Sequence, residues 1–132
     1  MYSLEGNELG AAGAGALAEA LKLNAVLKSI NLSRNHIGGY YDEARDEMVY
    51  TPGGPAAIAE MLKLNAVVKK LLLGGNSIGD DGAIALSESL KSNKSLEKLA
   101  LNSNGIGDKG GKALASALGT AVLTTIGCAF CA

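Results

Sequence analysis

Cys128 and Cys131 stand at C-x-x-C spacing in the stretch Thr-Ile-Gly-Cys-Ala-Phe-Cys-Ala, and they are the chain's only cysteines. Two thiols so placed can cycle between dithiol and disulfide, or supply half of a zinc site. Zinc needs three or four ligands. His36 is the only histidine and no second C-x-x-C exists, so the ligand count falls short and no metal is expected. A thioredoxin-type dithiol opens a helix after a strand. Only Ala132 follows Cys131, which argues against that use. His36 would also have to serve any Ser-His-Asp arrangement. Asp80 and Asp81 precede an apolar helical pattern and read as capping residues, with no metal required. The glycine-rich stretches "LGGNSIG" and "GAAGAG" lack the lysine and spacing of a phosphate loop. No catalytic constellation or cofactor site emerges, and the chain reads as non-enzymatic.

The elements that position these residues are bounded by composition. The 132 residues suffice for one domain with a real core, and 48% are hydrophobic, which excludes disorder as the main state. A net charge of −1 gives no global reason to expect nucleic acid or an anionic membrane as partner. Aromatic residues are only 4%, so the core is built from thin, close-packed elements. No basic-then-apolar leader opens the sequence, and no stretch approaches the roughly 20 apolar residues of a membrane helix. A cytoplasmic protein is the expectation.

Self-similarity organises the rest. Asn7, Asn35, Asn76 and Asn104 lie in "LEGNELG", "LSRNHIG", "LGGNSIG" and "LNSNGIG". Asn7 to Asn35 and Asn76 to Asn104 are each 28 positions apart, whereas Asn35 to Asn76 is 41, so one unit carries 13 extra residues. Leu27, Ile30 and Leu32 correspond to Val68, Leu71 and Leu73, and to Leu96, Leu99 and Leu101. The last two of each trio alternate as one face of a short strand does. After Ile37-Gly38, Ile78-Gly79 and Ile106-Gly107 the period changes to 3.6. Leu17, Ala20 and Leu21 match Ile58, Met61 and Leu62, then Leu86, Ser89 and Leu90, then Leu114, Ala117 and Leu118, which predicts helices with one buried stripe. Asp80 and Asp108 fall where an N-cap belongs, and Thr51-Pro52 offers a cap and first-turn proline.

This pattern, L-x-x-L-x-L-x-x-N-x-I-G, resembles the leucine-rich repeat family. The period and the "IGDxGAxALA" helix opening are similar to the ribonuclease-inhibitor subclass, which includes the repeat regions of NOD-like receptors and Ran-GTPase-activating proteins. The resemblance implies an α/β solenoid, a right-handed β-α horseshoe segment. Parallel strands would line its concave face and helices its convex face. One domain is expected over 1–132, with units at 1–26, 27–67 (insertion 39–51), 68–95 and 96–122, and a capping strand at 123–132. Stacked units bury a continuous core that one unit cannot. Asn7, Asn35, Asn76 and Asn104 would then form a ladder that satisfies turn backbone groups. Leu123, Ile126, Cys128 and Cys131 continue the spacing, so Cys128 takes the third leucine slot and Cys131 the asparagine slot of the ladder. A buried cysteine behaves there as a small hydrophobe.

Two surfaces are candidates for binding. The insertion Gly39 to Thr51, "GYYDEARDEMVYT", carries Tyr40, Tyr41 and Tyr50, three of the four tyrosines. Asp42, Glu43, Asp46 and Glu47 stand against Arg45, a net of −3 that leaves the remainder at +2. "YY" and "MVY" can pair as a hairpin, or Asp42 to Met48 can form one helical turn. Tyrosine offers large contact area at low entropy cost, so this loop is a candidate partner site at the rim of the concave face, with Tyr40, Tyr41, Asp42, Glu43 and Tyr50 as its residues. On the concave face, strand residues between the buried ones point outward. They are Ser29, Asn31 and Ser33; Lys70, Leu72 and Gly74; and Lys98, Ala100 and Asn102, with Arg34, Gly75 and Ser103 at the strand ends. Lys70 and Lys98 would stack as a basic column beside an apolar strip of Leu72 and Ala100. Asn31, Arg34, Lys70, Leu72, Lys98, Ala100 and Asn102 are the candidate contacts.

The expected function is a non-catalytic interaction module that binds a protein partner. The alternatives are a regulator of an enzyme, of the nuclease-inhibitor or GTPase-activator type, and a fragment of a larger innate-immune-receptor-like repeat protein. Arg34 as an arginine finger would belong to the GTPase reading. The first unit starts late, with Tyr2 and Leu4 in the last two apolar strand slots and no polar capping unit. An uncovered solenoid end exposes apolar surface and a strand edge, so self-association through that end is a further expectation.

Overall fold

The structure, a computed structural model, describes residues 1–119 and the backbone of the strand Thr125–Gly127. Along the chain the elements are β1 (Tyr2–Ser3), α1 (Gly10–Lys22), β2 (Ser29–Asn31), β3 (Gly39–Asp42) and β4 (Glu47–Tyr50). Then come α2 (Gly53–Leu64), β5 (Lys70–Leu72), α3 (Gly79–Ser92), β6 (Lys98–Ala100), α4 (Asp108–Leu118) and β7 (Thr125–Gly127). Five strands form one parallel sheet in the order β1-β2-β5-β6-β7, and each is joined to the next through a helix on the convex side. The register is the one the 28-residue period demands. Ile30 pairs with Leu71, Leu71 with Leu99, and Leu99 with Ile126. Ile126 thus occupies the second leucine position of its unit.

The core lies between sheet and helices. Ile30, Leu71 and Leu99, with Leu32, Leu73 and Leu101 one step on, are essentially inaccessible, and Ile58, Leu62, Leu86, Leu90 and Leu114 close over them from the helices. Each fully buried leucine or isoleucine contributes about 1.5–3 kcal/mol relative to exposure. Two expected core positions differ: Leu118 is exposed, whereas its counterparts Leu21, Leu62 and Leu90 are buried. Ala20 is exposed, whereas its counterparts Met61, Ser89 and Ala117 are buried. Those three are covered by the preceding helix, and α1 has no helix before it in the stack. Ser89 is tolerated inside because its hydroxyl donates to the Leu86 carbonyl at 2.7 Å.

The asparagine ladder forms. Asn76 Nδ2 donates to the carbonyls of Leu32 (2.9 Å) and Leu73 (3.0 Å), while its Oδ1 accepts the amides of Asn35 (2.8 Å) and Ile37 (3.3 Å). Asn35 reaches back in the same way to Leu4, Asn7 and Leu9, and Asn104 to Leu73, Asn76 and Ile78. Asn7 is exposed at the sheet's edge, and among the described residues its side chain bonds its own turn, at the Leu4 and Glu5 carbonyls. Cys131, the proposed last rung, and Cys128 lie outside the described residues.

A second ladder lies at the other end of each coil. Asn65 Nδ2 donates to the Leu21 carbonyl at 2.7 Å, and its Oδ1 accepts the Val67 and Val68 amides. Asn93 repeats this on Leu62, Ser95 and Leu96. Each ties the free carbonyls at one helix's C-terminus to the next unit's loop.

The helix starts depart from expectation. Helix α3 begins at Gly79, one residue before Asp80, and α4 begins at Asp108 itself; neither aspartate caps its own helix. Instead Asp80 Oδ1 accepts the amides of Gly107 (2.8 Å) and Gly110 (2.9 Å) and so caps the neighbouring helix α4. Stacking at a fixed offset brings the first turn of one helix alongside the open amides of the next, and that contact wins over the local one. Likewise the residue before α2 is Pro52, which offers no side-chain cap, and the Thr51 hydroxyl turns back to the Ile37 carbonyl.

Candidate interaction surfaces

The turns that end the strands carry a strained backbone. Glu8, His36 and Ser77 share φ near +55°, as do Arg34 and Ser103 on the other side of the asparagine. The ladder imposes this, since the asparagine side chain can reach the carbonyls of its own turn only if the chain reverses tightly around it. His36 is therefore an exposed turn residue.

On the concave face, Lys70 and Lys98 are register partners, as are Leu72 and Ala100. Asn31 stands opposite Leu72 and Ser29 opposite Lys70. Adjacent parallel strands hold such side chains about 4.8 Å apart. Among the described residues neither Lys70 nor Lys98 has a carboxylate partner, so the two form an unpaired cationic column beside a half-buried apolar strip. Other candidates are already engaged. Asn31 Nδ2 donates to Glu5 Oε2 at 3.0 Å and its Oδ1 accepts the Ser33 amide. Arg34 pairs with Glu5 at 3.7 Å across exposed surface. Gly74, expected to face outward, is buried beneath Asn102, whose side chain lies 2.8 Å from where a Cβ would be. Asn102 itself is exposed.

The insertion folds as an antiparallel hairpin and not as a helical turn. Tyr40 pairs with Val49, Tyr41 with Met48, and Asp42 with Glu47. Asp42 Oδ1 accepts the Ala44 and Arg45 amides, the Tyr41 hydroxyl donates to Asp46, and Asp46 takes the left-handed conformation that closes the loop. The register divides the tyrosines. Tyr41, Met48 and Tyr50 share one face; Tyr40, Val49, Asp42 and Glu47 share the other. The hairpin's base is tied by the Thr51 amide to the Gly38 carbonyl at 2.9 Å. Tyr50 leans over Gly79, where a Cβ would lie 3.7 Å from its ring. Beside it is a cleft of about 400 Å³ lined by Tyr50, Pro52, Ile78, Asp81 and Lys109. Glu43 is exposed in the loop.

Three stretches, residues 23–39, 64–87 and 92–115, match the family model described as leucine-rich repeat. The chain is built of leucine-rich repeats. The first match stops where the hairpin begins, and each starts within a residue of a second-ladder asparagine. No curated protein matches the sequence. Among solved structures, the leiomodin-1 actin-binding site 2 domain superposes with a TM-score of 0.80 at 25% identity, covering 98% of this chain and 70% of that one. Among the described residues no helix is long and apolar enough to cross a membrane, and no three His, Cys, Asp or Glu side chains converge as a metal site would need.

Two features escaped the sequence reading. Asn24, Asn65 and Asn93 repeat at the same offsets as the first ladder, so the second ladder was visible as a period. The use of Asp80 on the neighbouring helix had no local signal.

Proposed function

We propose that this repeat module is non-catalytic and binds a protein partner through the concave face and the hairpin at its rim. The observation that carries this reading is the unpaired Lys70–Lys98 column, presented beside Leu72 and Ala100 on a rigid sheet. Cations held without partners next to apolar surface suit an acidic segment with hydrophobic anchors. The hairpin adds Tyr41 and Tyr50 on one face, 52% and 61% exposed. The similar leiomodin-1 domain is named for binding actin, which makes actin the first partner to try. A regulator of a nuclease or GTPase remains the second reading, favoured by the 28-residue period of the ribonuclease-inhibitor type.

Three forms test it: the intact chain, Lys70→Glu/Lys98→Glu, and a chain with Gly39 to Thr51 excised. The hydrogen bond between Thr51 and Gly38 closes the hairpin's base, so excision joins neighbouring points. Co-sedimentation with actin filaments and affinity capture should show at least a tenfold loss for the charge reversal and a smaller loss for the excision. Equal capture by all three overturns the assignment.

A further inference from the structure

Resting on the concave-face reading, we infer that the segment bound there is an acidic amphipathic α-helix of the partner, laid across the strands. The outward residues form rows that cross the sheet. Lys70 and Lys98 stand in register in one row, and Asn31, Leu72 and Ala100 in the next. Gly74 and Asn102 follow two residues further along their chains. The lysines are long, whereas the floor beside them is low. Ala100 is short, Leu72 is half-buried, and Gly74 has no side chain and is buried. Asn102 closes the far side by leaning over Gly74, 2.8 Å from where a Cβ would be. From Lys98 to Asn102 the chain advances four residues, about 13 Å at 3.3 Å per residue. An α-helix with its side chains is about 10–12 Å across and fills that width. An extended chain, which packs beside another at about 4.8 Å, leaves more than half of it empty.

The spacing across the sheet selects the same occupant. Equivalent side chains of adjacent strands stand about 4.8 Å apart. Along a helix axis, residues three apart are separated by about 4.5 Å and residues four apart by about 6 Å. The same-face residues of an extended chain are about 6.7 Å apart and overrun each strand by about 2 Å. Two acidic residues three or four apart on a helix therefore meet Lys70 and Lys98 together. Charge fixes their sign, because among the described residues neither lysine has a carboxylate partner. Glu5, the carboxylate in the third row, is already engaged by Asn31 at 3.0 Å and Arg34 at 3.7 Å. The apolar stripe of the same helix falls on Leu72 and Ala100, one row over.

The probe is a synthetic peptide of about 16 residues, which as a helix spans about 24 Å and crosses the whole sheet. Its glutamates recur three and four apart, with leucines on the adjacent stripe. A second peptide of the same composition alternates leucine and glutamate. Calorimetric titration of the intact chain should give a dissociation constant at least tenfold lower for the helical pattern. Difference circular dichroism should show that peptide becoming helical as it binds. Lys70→Glu/Lys98→Glu, with its own circular dichroism unchanged, should lose at least tenfold and should prefer a helical peptide with lysine in place of glutamate. Equal or tighter binding of the alternating peptide overturns the helix and leaves the concave face as the site. Helical-peptide binding that survives the charge reversal overturns both. If neither peptide binds below about 1 mM the helix is again overturned, and the capture experiment with the charge-reversed chain then judges the face by itself.

Discussion

Replacing Asn76 by alanine isolates what the ladder contributes. Five hydrogen bonds are removed, but they do not count equally; the Gly74 carbonyl, bonded at 3.4 Å, keeps the Arg34 amide at 2.8 Å. The Leu32 carbonyl keeps a second donor in Asn35 Nδ2 (3.1 Å), and the Leu73 carbonyl keeps Asn104 Nδ2 (2.9 Å). The amides of Asn35 and Ile37 have only Asn76 Oδ1, and both residues are fully buried. Two orphaned buried N–H groups cost about 1–3 kcal/mol each, so Asn76→Ala should lose about 2–6 kcal/mol. Asn7→Ala makes the same chemical change where nothing buried is orphaned, because the Leu4 carbonyl retains Asn35 Nδ2 at 2.9 Å. It should stay within about 0.5 kcal/mol when measured on dilute protein. Urea unfolding followed by circular dichroism gives both values. Total stability of roughly 7–20 kcal/mol, scaled from chain length, leaves Asn76→Ala folded enough to measure. Amide exchange should locate the loss at Asn35 and Ile37. If the two variants differ by less than about 1 kcal/mol, the view that these asparagines hold the turns through buried amides is wrong.

Asp80→Ala should cost about 1 kcal/mol and speed amide exchange at Gly107 and Gly110, while Asp81→Ala stays within about 0.5 kcal/mol by the same unfolding assay. Gly54→Ala should cost more than about 3 kcal/mol in urea, because its Cβ would fall 1.8 Å from the Ile37 carbonyl oxygen. Gly15→Ala meets nothing within 4 Å in a helix interior and should raise stability by about 0.5–1 kcal/mol. His36→Gly, at φ +56°, should raise the melting temperature through about 1 kcal/mol of relieved backbone strain.

The repeating leucines and asparagines determine the fold class by themselves. A 28-residue period that switches from alternation to helical spacing admits a single economical solution, in which equivalent residues of successive coils align. The first ladder, the pairing of Lys70 with Lys98, and the slot of Ile126 follow from that period alone. The hairpin was one of two local choices, and its closed loop around Asp42 and Asp46 decided it. What only the tertiary structure settled lies between coils. Asp80 reads locally as the cap of α3 and serves α4, because stacking delivers it to amides that no other group satisfies. Ala20 has a core residue's spacing but stays exposed, and Gly74 has a surface residue's spacing but is buried. Spacing fixes which way a side chain points, while burial depends on whether a neighbouring coil stands there to cover it.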